Sequence, residues 1–172
     1  MTKMIIQFIS LFLVLTIMQV VCNKIVLFGV ATPFVFIYLL LRLPIVFSKN
    51  WTFTIAFLLG LIIDLFNDTP GMNALSCVLL AAVRVPVFKA CFTRDDDLSN
   101  PMPSIASLGL GGYLKYMSIL VLFYCMALFF IQAFSLHNFT LTLLRIGGSS
   151  VLTVVLLLGI DSLVSTNREK RL

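Results

Sequence analysis

Charged side chains inside apolar stretches are the residues of this chain best placed to do chemistry or to bind a partner. Asp64 interrupts the apolar run at 53–66, and Arg84, Arg145 and Asp161 lie in other apolar stretches. An ionised side chain at the centre of a membrane helix costs about 2.5–3.5 kcal/mol on insertion scales. Such a residue persists only where neighbouring groups satisfy it, so the partners of Asp64 are the first question that the sequence raises.

The depths of these charges suggest two pairs. Asp64 and Arg145 each lie about one helical turn from a loop on the same side of the predicted bundle, so we expect an ion pair or a shared polar network between them. Arg84 and Asp161 both lie towards the other end and form a second candidate pair. Two roles stay open for these charges, a direct function or the fixing of helix register and orientation.

Other patterns with catalytic or ligand-binding chemistry are missing from the sequence. The four cysteines have no C-x-x-C spacing, and His137 is the only histidine, so the sequence offers no zinc site. There is no nucleophile elbow, no H-E-x-x-H and no P-loop lysine. The glycine-rich 109–112 run opens a membrane helix rather than a βα unit. We therefore predict no enzyme activity, no catalytic, cofactor-binding or metal-binding residues, and no cofactor.

Composition places the chain in a membrane. It is 60% hydrophobic and 11% charged, whereas soluble domains are usually about 45–50% apolar and about 25% charged. The net charge of +5 comes mostly from lysines and arginines near the ends of apolar stretches, where they set topology, and no basic patch interleaved with aromatics indicates nucleic-acid binding. We expect residues 1–172 to form one integral membrane domain.

A spanning helix needs about 20 mostly apolar residues, and by this measure the chain predicts an all-α, six-helix polytopic bundle with a tail at 165–172. Most basic residues fall in or beside the N-terminus, the second loop, the fourth loop and the C-terminus, which places both termini in the cytoplasm. The apolar N-terminus lacks a cleavage site, so we expect it to be retained as the first helix. The six predicted helices are 4–22, 25–41, 51–66, 72–92, 114–136 and 141–164.

The third helix carries a face of small residues. Ala56, Gly60 and Asp64 recur every four residues, so they share one side of the helix and let a neighbouring backbone approach closely. Asp64 lies near the carbonyl end of its helix, where the dipole disfavours an anion, and it therefore needs donors from elsewhere.

A tight polar hairpin follows. Thr69 or Asp68 is expected to cap the fourth helix, with Pro70 in its first turn and Gly71 allowing close packing. Asn73 can then reach back towards Asp64. Farther away, Pro33 in the second helix and Pro86 in the fourth are expected to kink their helices and free carbonyls that neighbours must satisfy.

Several of these residues together resemble one family. The run Gly60-Leu61-Ile62-Ile63-Asp64, followed by Pro70-Gly71-Met72-Asn73-Ala74-Leu75, resembles the G-L-x-x-D…P-x-G-x-x-A-L pattern of the MreD family of rod shape-determining proteins. Thr32-Pro33-Phe34 is similar to the early proline of that family, and Arg84-Val85-Pro86 to its arginine–proline end of the fourth helix. The resemblance covers most of residues 25–92, and the remainder only in topology.

The resemblance implies a non-catalytic scaffold in the bacterial inner membrane that supports lateral peptidoglycan synthesis and rod cell shape. It implies binding to MreC, a bitopic membrane protein, and through it a connection to RodA, to its transpeptidase and indirectly to MreB. The family fold in turn resembles the S subunits of energy-coupling factor transporters. That likeness concerns the fold and does not transfer function.

Two other functions remain open at this stage. A small-molecule-binding transporter subunit of the S-subunit kind would dock its energising partner through small residues on the first helix, but residues 5–22 contain no alanine or glycine. A lipid-modifying enzyme would need clustered catalytic groups near one interface. Asp64, Asp68 and Asn73 form the only such cluster in the sequence, and no nucleophile accompanies them.

Overall fold

The described part of the chain contains six α-helices. The computed structural model describes residues 2–24, 31–45, 47–69, 71–91, 103, 105–132 and 139–169, with side chains at 10–21, 31–45, 47–69, 71–91, 103, 108–132 and 140–162. No strand is formed in these ranges. The helices are α1 (Thr2–Lys24), α2 (Ile37–Arg42), α3 (Lys49–Asn67), α4 (Met72–Cys91), α5 (Ile105–Gln132) and α6 (Phe139–Glu169).

Four segments of these helices are long and apolar enough to cross a membrane, and this supports the membrane character of the chain. They are Lys49–Asn67, Met72–Cys91, Leu108–Gln132 and Thr140–Ser162. Within α1, the side-chain-described part contributes a shorter apolar stretch, Ser10–Val21. The predicted all-helical class is therefore confirmed, and the count of six spans stays a prediction.

The predicted second helix, 25–41, is wrong at residues 31–36, and its first part, 25–30, lies outside the described residues. Residues 32–34 are not helical, and α2 spans only Ile37–Arg42, which is too short to cross a bilayer. Proline lacks a backbone N–H and disfavours helical geometry in the residue before it. Pro33 therefore lies in a break between helices, and the expected kink within one continuous helix is wrong.

Helix boundaries elsewhere agree to within a few residues at α3 and α4 but not at α5 and α6. α5 begins at Ile105, and Gly109 inside it has a non-helical conformation with φ of 69°. α6 continues to Glu169, so most of the segment expected to form a tail at 165–172 is helical. Length and apolarity locate the membrane-embedded part of a helix, whereas polar extensions beyond it leave no hydropathy signal.

The core lies between the helices and is rich in tyrosine. α3 packs on α4, α4 on α5 and α5 on α6 in chain order, and α1 lies beside α3. The non-helical segment 31–36 and α2 are enclosed by these helices, and most of their side chains are buried. Large fully buried side chains of the core are Phe36, Ile37, Tyr38, Leu40, Ile63, Leu80, Tyr116, Met117, Leu120, Tyr124 and Leu128.

Candidate functional site

The carboxylate of Asp64 is buried and fully engaged at the hairpin between α3 and α4. Only 4% of the residue is exposed. One oxygen accepts from the backbone N–H of Asn73 at 3.0 Å, from the Asn73 side-chain amide at 2.8 Å and from the Thr69 hydroxyl at 2.7 Å. The other accepts from the backbone N–H of Ala74 at 2.9 Å. These four donors compensate the loss of hydration that makes a buried carboxylate costly.

Asp64 acts as the N-terminal cap of α4 although it belongs to α3. The first helical hydrogen bond of α4 runs from Leu75 N–H to the carbonyl of Gly71, so Asn73 and Ala74 occupy the first turn, whose N–H groups lack helical partners. The Asp64 carboxylate accepts from both, and its negative charge faces the positive end of the α4 dipole. The expected donors from outside α3 are confirmed, as is the reach of Asn73 towards Asp64.

Asp68 and Thr69, one of which was expected to cap α4, have other roles. Asp68 is exposed and adopts a left-handed conformation with φ of 53° as it ends α3, and Thr69 donates to Asp64 instead of capping α4. Gly71 has φ of 77°, a backbone conformation that residues other than glycine rarely adopt. Pro70 lies outside the described residues.

Gly60 brings the backbones of α3 and α4 into contact. A Cβ atom at Gly60 would lie 2.4 Å from Ala74 Cα and 2.6 Å from Ala74 N. Both are backbone atoms, so a change of side-chain rotamer cannot remove this overlap. Ala56, one turn earlier on the same face, is fully buried. The small-residue face is therefore confirmed, and its neighbour is α4 of the same chain. This close approach also places Asp64 within reach of the first turn of α4.

Tyr124 extends this site to α5. Its hydroxyl donates to the side-chain oxygen of Asn73 at 2.7 Å, and its ring makes edge contacts with Phe34 and Phe36 at centroid distances of 5.3 and 5.9 Å. One tyrosine thus connects the α3–α4 hairpin to the non-helical segment. We refer to Asp64, Thr69, Asn73 and Tyr124 as the hairpin network.

The predicted pair of Asp64 and Arg145 is wrong. Arg145 is exposed on α6. Among the residues with described side chains, the one ion pair joins Arg42 and Asp161. Helix depth alone placed Asp64 and Arg145 at one level, but the carboxylate faces α4 and its donors are all on the hairpin. The hairpin network therefore connects α3, α4 and α5. The connection to α6 that an Asp64–Arg145 pair would have made is not formed.

Asp161 is part of a second polar cluster at the other end of the bundle. Its carboxylate accepts from the Tyr38 hydroxyl at 2.6 Å and lies 3.5 Å from an Arg42 guanidinium nitrogen, while Arg42 also donates to the Tyr38 hydroxyl. The buried Tyr113 side chain is a further neighbour of the same carboxylate. These contacts join α6 to α2, so the predicted partner Arg84 is wrong and Arg42 takes its place.

Arg84 instead binds carbonyl oxygens at the end of α2. It is 1% exposed, and its two terminal nitrogens donate to Leu40 O at 2.8 Å and Pro44 O at 3.0 Å. Tyr116 adds a hydrogen bond to Leu41 O at 3.3 Å. The last carbonyls of a helix lack helical partners and carry partial negative charge, which suits a cation. Arg84 is thus a C-terminal cap supplied by another helix.

The non-helical segment around Pro33 is held by side chains that sequence reasoning missed. Gln19 of α1 donates to Pro33 O at 2.8 Å and accepts from Val35 N–H at 2.7 Å. On α6, Ser149 accepts from Thr32 N–H and Thr153 from Phe34 N–H, each at 3.1 Å. A polar side chain in an apolar helix was the available signal, since irregular backbone within a membrane must find partners inside the protein.

The hydrogen bonds of Asp64 and Arg84 cap helices and anchor neighbouring segments. Among the described side chains, no group of three or more His, Cys, Asp or Glu residues could hold a metal ion. Cys77 and Cys125 are buried and free, while His137 and Asp95–Asp97 lie outside the described residues. The buried charged residues Asp64, Arg84 and Asp161 each contact the backbone or a side chain of a neighbouring helix.

The chain matches no protein-family model, no curated protein and no solved structure.

Proposed function

We propose that this protein is a non-catalytic membrane scaffold of the MreD kind, which binds a bitopic partner such as MreC in the elongation machinery of a bacterial inner membrane. The observation that carries the proposal is the α3–α4 hairpin. Three of the residues on which the family resemblance rests come together there, because Gly60 lies against the backbone of Asn73 and Ala74 and Asp64 accepts two hydrogen bonds from Asn73. Close backbone contact and hydrogen bonds fix α3 and α4 relative to each other, which suits a scaffold against which a partner packs.

The use of the buried charges favours a scaffold over a catalyst. Asp64 caps α4, Arg84 caps α2, and Asp161 pairs with Arg42, so each connects two helices. A catalytic group in a membrane needs access to substrate, and these three residues are at most 4% exposed. Such interlocked charges stabilise one arrangement of helices, against which a partner helix can pack.

The partner is expected on an outward-facing helix surface rather than at the Gly60 face. Gly60 is already covered by Ala74, so Gly60→Leu would disrupt the bundle and cannot test the interface. α1 presents Leu13, Val14 and Ile17 with more than half of each exposed. α6 presents Val151 and Val155 at 66% and 61% exposure. Both faces are consistent with packing of a single membrane-spanning partner helix.

Copurification in mild detergent tests the proposal. The tagged chain is coexpressed with the MreC protein of the same organism, and depletion of the chain is expected to turn rod-shaped cells round. Bulky tryptophans at Val151 and Val155, or at Leu13 and Ile17, are expected to reduce copurification for the face that binds, without lowering the amount of folded chain. Rod shape that survives depletion, together with no recovery of MreC, would refute the scaffold.

A transporter subunit is a second candidate, favoured by the non-helical segment 31–36. Interrupted helices surround the substrate sites of many transporters. Here the segment is met by Gln19, Ser149 and Thr153, which could exchange these hydrogen bonds for a ligand. A thermal-shift screen with vitamins distinguishes the candidates, because a stabilising ligand whose effect is lost in Gln19→Leu would favour transport.

A further inference from the structure

Arg84 has one hydrogen-bond donor that no described group accepts. The residue is 1% exposed, and its two terminal nitrogens donate to Leu40 O at 2.8 Å and Pro44 O at 3.0 Å. The third guanidinium nitrogen, Nε, is buried and has no hydrogen-bond partner. Among the described side chains, no other buried nitrogen or oxygen atom is in this state. Buried polar groups are paired with protein groups or with ordered water in nearly all cases, so this N–H indicates a further acceptor.

The groups around this donor are carbonyl oxygens rather than carboxylates. Among the described side chains the one ion pair joins Arg42 and Asp161, so no described carboxylate lies within ion-pair distance of Arg84. Its acceptors belong to the end of α2 and the turn that follows, and Tyr116 donates to the intervening Leu41 O at 3.3 Å. The last carbonyls of a helix carry partial negative charge. They favour a ligand that donates hydrogen bonds, and they disfavour an anion.

We propose that a water molecule is buried beside Arg84, where it accepts the Nε N–H and donates to a carbonyl oxygen at the end of α2. Water suits this place because it both accepts and donates, whereas a halide ion or a carboxylate only accepts. Buried waters in proteins typically make about three hydrogen bonds to otherwise unsatisfied groups. The water completes the polar contacts by which α4 holds the end of α2. This inference is independent of the scaffold proposal.

X-ray radiolytic labelling of the wild-type chain in detergent tests the site, because bound waters activated by the beam hydroxylate the side chains next to them. Tyr116 is the reporter, since it and Arg84 donate to carbonyls of consecutive residues. Tyr124 is the matched control. It is equally buried, and its hydroxyl is paired with Asn73. Labelling of Tyr116 is expected to be several-fold higher than labelling of Tyr124, and labelling of Tyr116 no higher than that of Tyr124 would overturn the proposal.

A high-resolution density map of the wild-type chain provides a second measurement that needs no variant. A water peak is expected about 2.7–3.2 Å from Arg84 Nε. Well-ordered density for the guanidinium without such a peak, or with a carbonyl oxygen in direct contact with Nε, would overturn the proposal. Crystals grown in bromide distinguish water from a halide, because an anomalous peak beside Nε would identify an anion site instead. No anomalous peak is expected there.

Discussion

Asp64 of α3 binds Asn73 of α4 twice, accepting its backbone N–H at 3.0 Å and its side-chain amide at 2.8 Å. The pair closes the hairpin and starts α4 in the same contact. An aspartate that is costly in a membrane is thereby stabilised by the positive end of the next helix.

Asp64→Ala is expected to destabilise the chain strongly. It leaves the N–H groups of Asn73 and Ala74 without an acceptor, and each unsatisfied buried donor costs about 1–3 kcal/mol. Thermal unfolding in detergent measures the loss, with Asp68→Asn as the matched control, because Asp68 is exposed and asparagine tolerates its left-handed conformation. Equal stability of Asp64→Ala and wild type would show that the Asp64 cap of α4 does not stabilise the chain.

Gly60→Ala is expected to separate α3 from α4, because its methyl group would overlap the backbone of Ala74. Overpacking of this kind typically costs about 1–3 kcal/mol. Gly159→Ala is the control, since a Cβ atom there meets no neighbour within 4 Å, and alanine favours the helix by about 0.8–1 kcal/mol. The two substitutions should therefore shift the melting temperature in opposite directions. A shift of the same sign would contradict the close contact.

Tyr124→Phe is expected to weaken the hairpin network without disturbing the aromatic packing. The substitution removes the hydrogen bond to Asn73 and keeps the ring beside Phe34 and Phe36. A typical loss is about 0.5–1.5 kcal/mol, with a larger value where the partner stays unsatisfied. In an Asn73→Ala background the same change should cost much less, and a double-mutant cycle measures the difference. Additive losses would disprove the bond.

Coupling between charges distinguishes the observed ion pair from the predicted one. Arg42→Gln and Asp161→Asn are expected to be non-additive in stability by about 0.5–3 kcal/mol, as groups in one network usually are. Arg145→Gln and Asp64→Asn should instead add, because Arg145 is exposed on α6 and Asp64 is satisfied within the hairpin. A charge swap that rescues Asp64 through Arg145 would reverse this assignment.

Local patterns predicted well where neighbours in sequence are neighbours in space. The spacing of Ala56, Gly60 and Asp64 predicted a face of close contact, and the short turn before Asn73 predicted its reach to Asp64. The boundaries of α3 and α4 followed from apolar length. The ion pairs failed because pairing across helices depends on helix rotation and order in the bundle, and residue depth carries neither.

The sequence by itself determined that the chain is helical and apolar enough for a membrane, and that Asp64 must find donors outside its own helix. Hydropathy and helical periodicity are local properties, so they survive without knowledge of the fold. Only the tertiary structure decided that Pro33 opens a non-helical core segment held by Gln19, Ser149 and Thr153, and that Arg42 rather than Arg84 meets Asp161. These contacts join residues far apart in the chain, and they exist only once packing has fixed which helix faces meet.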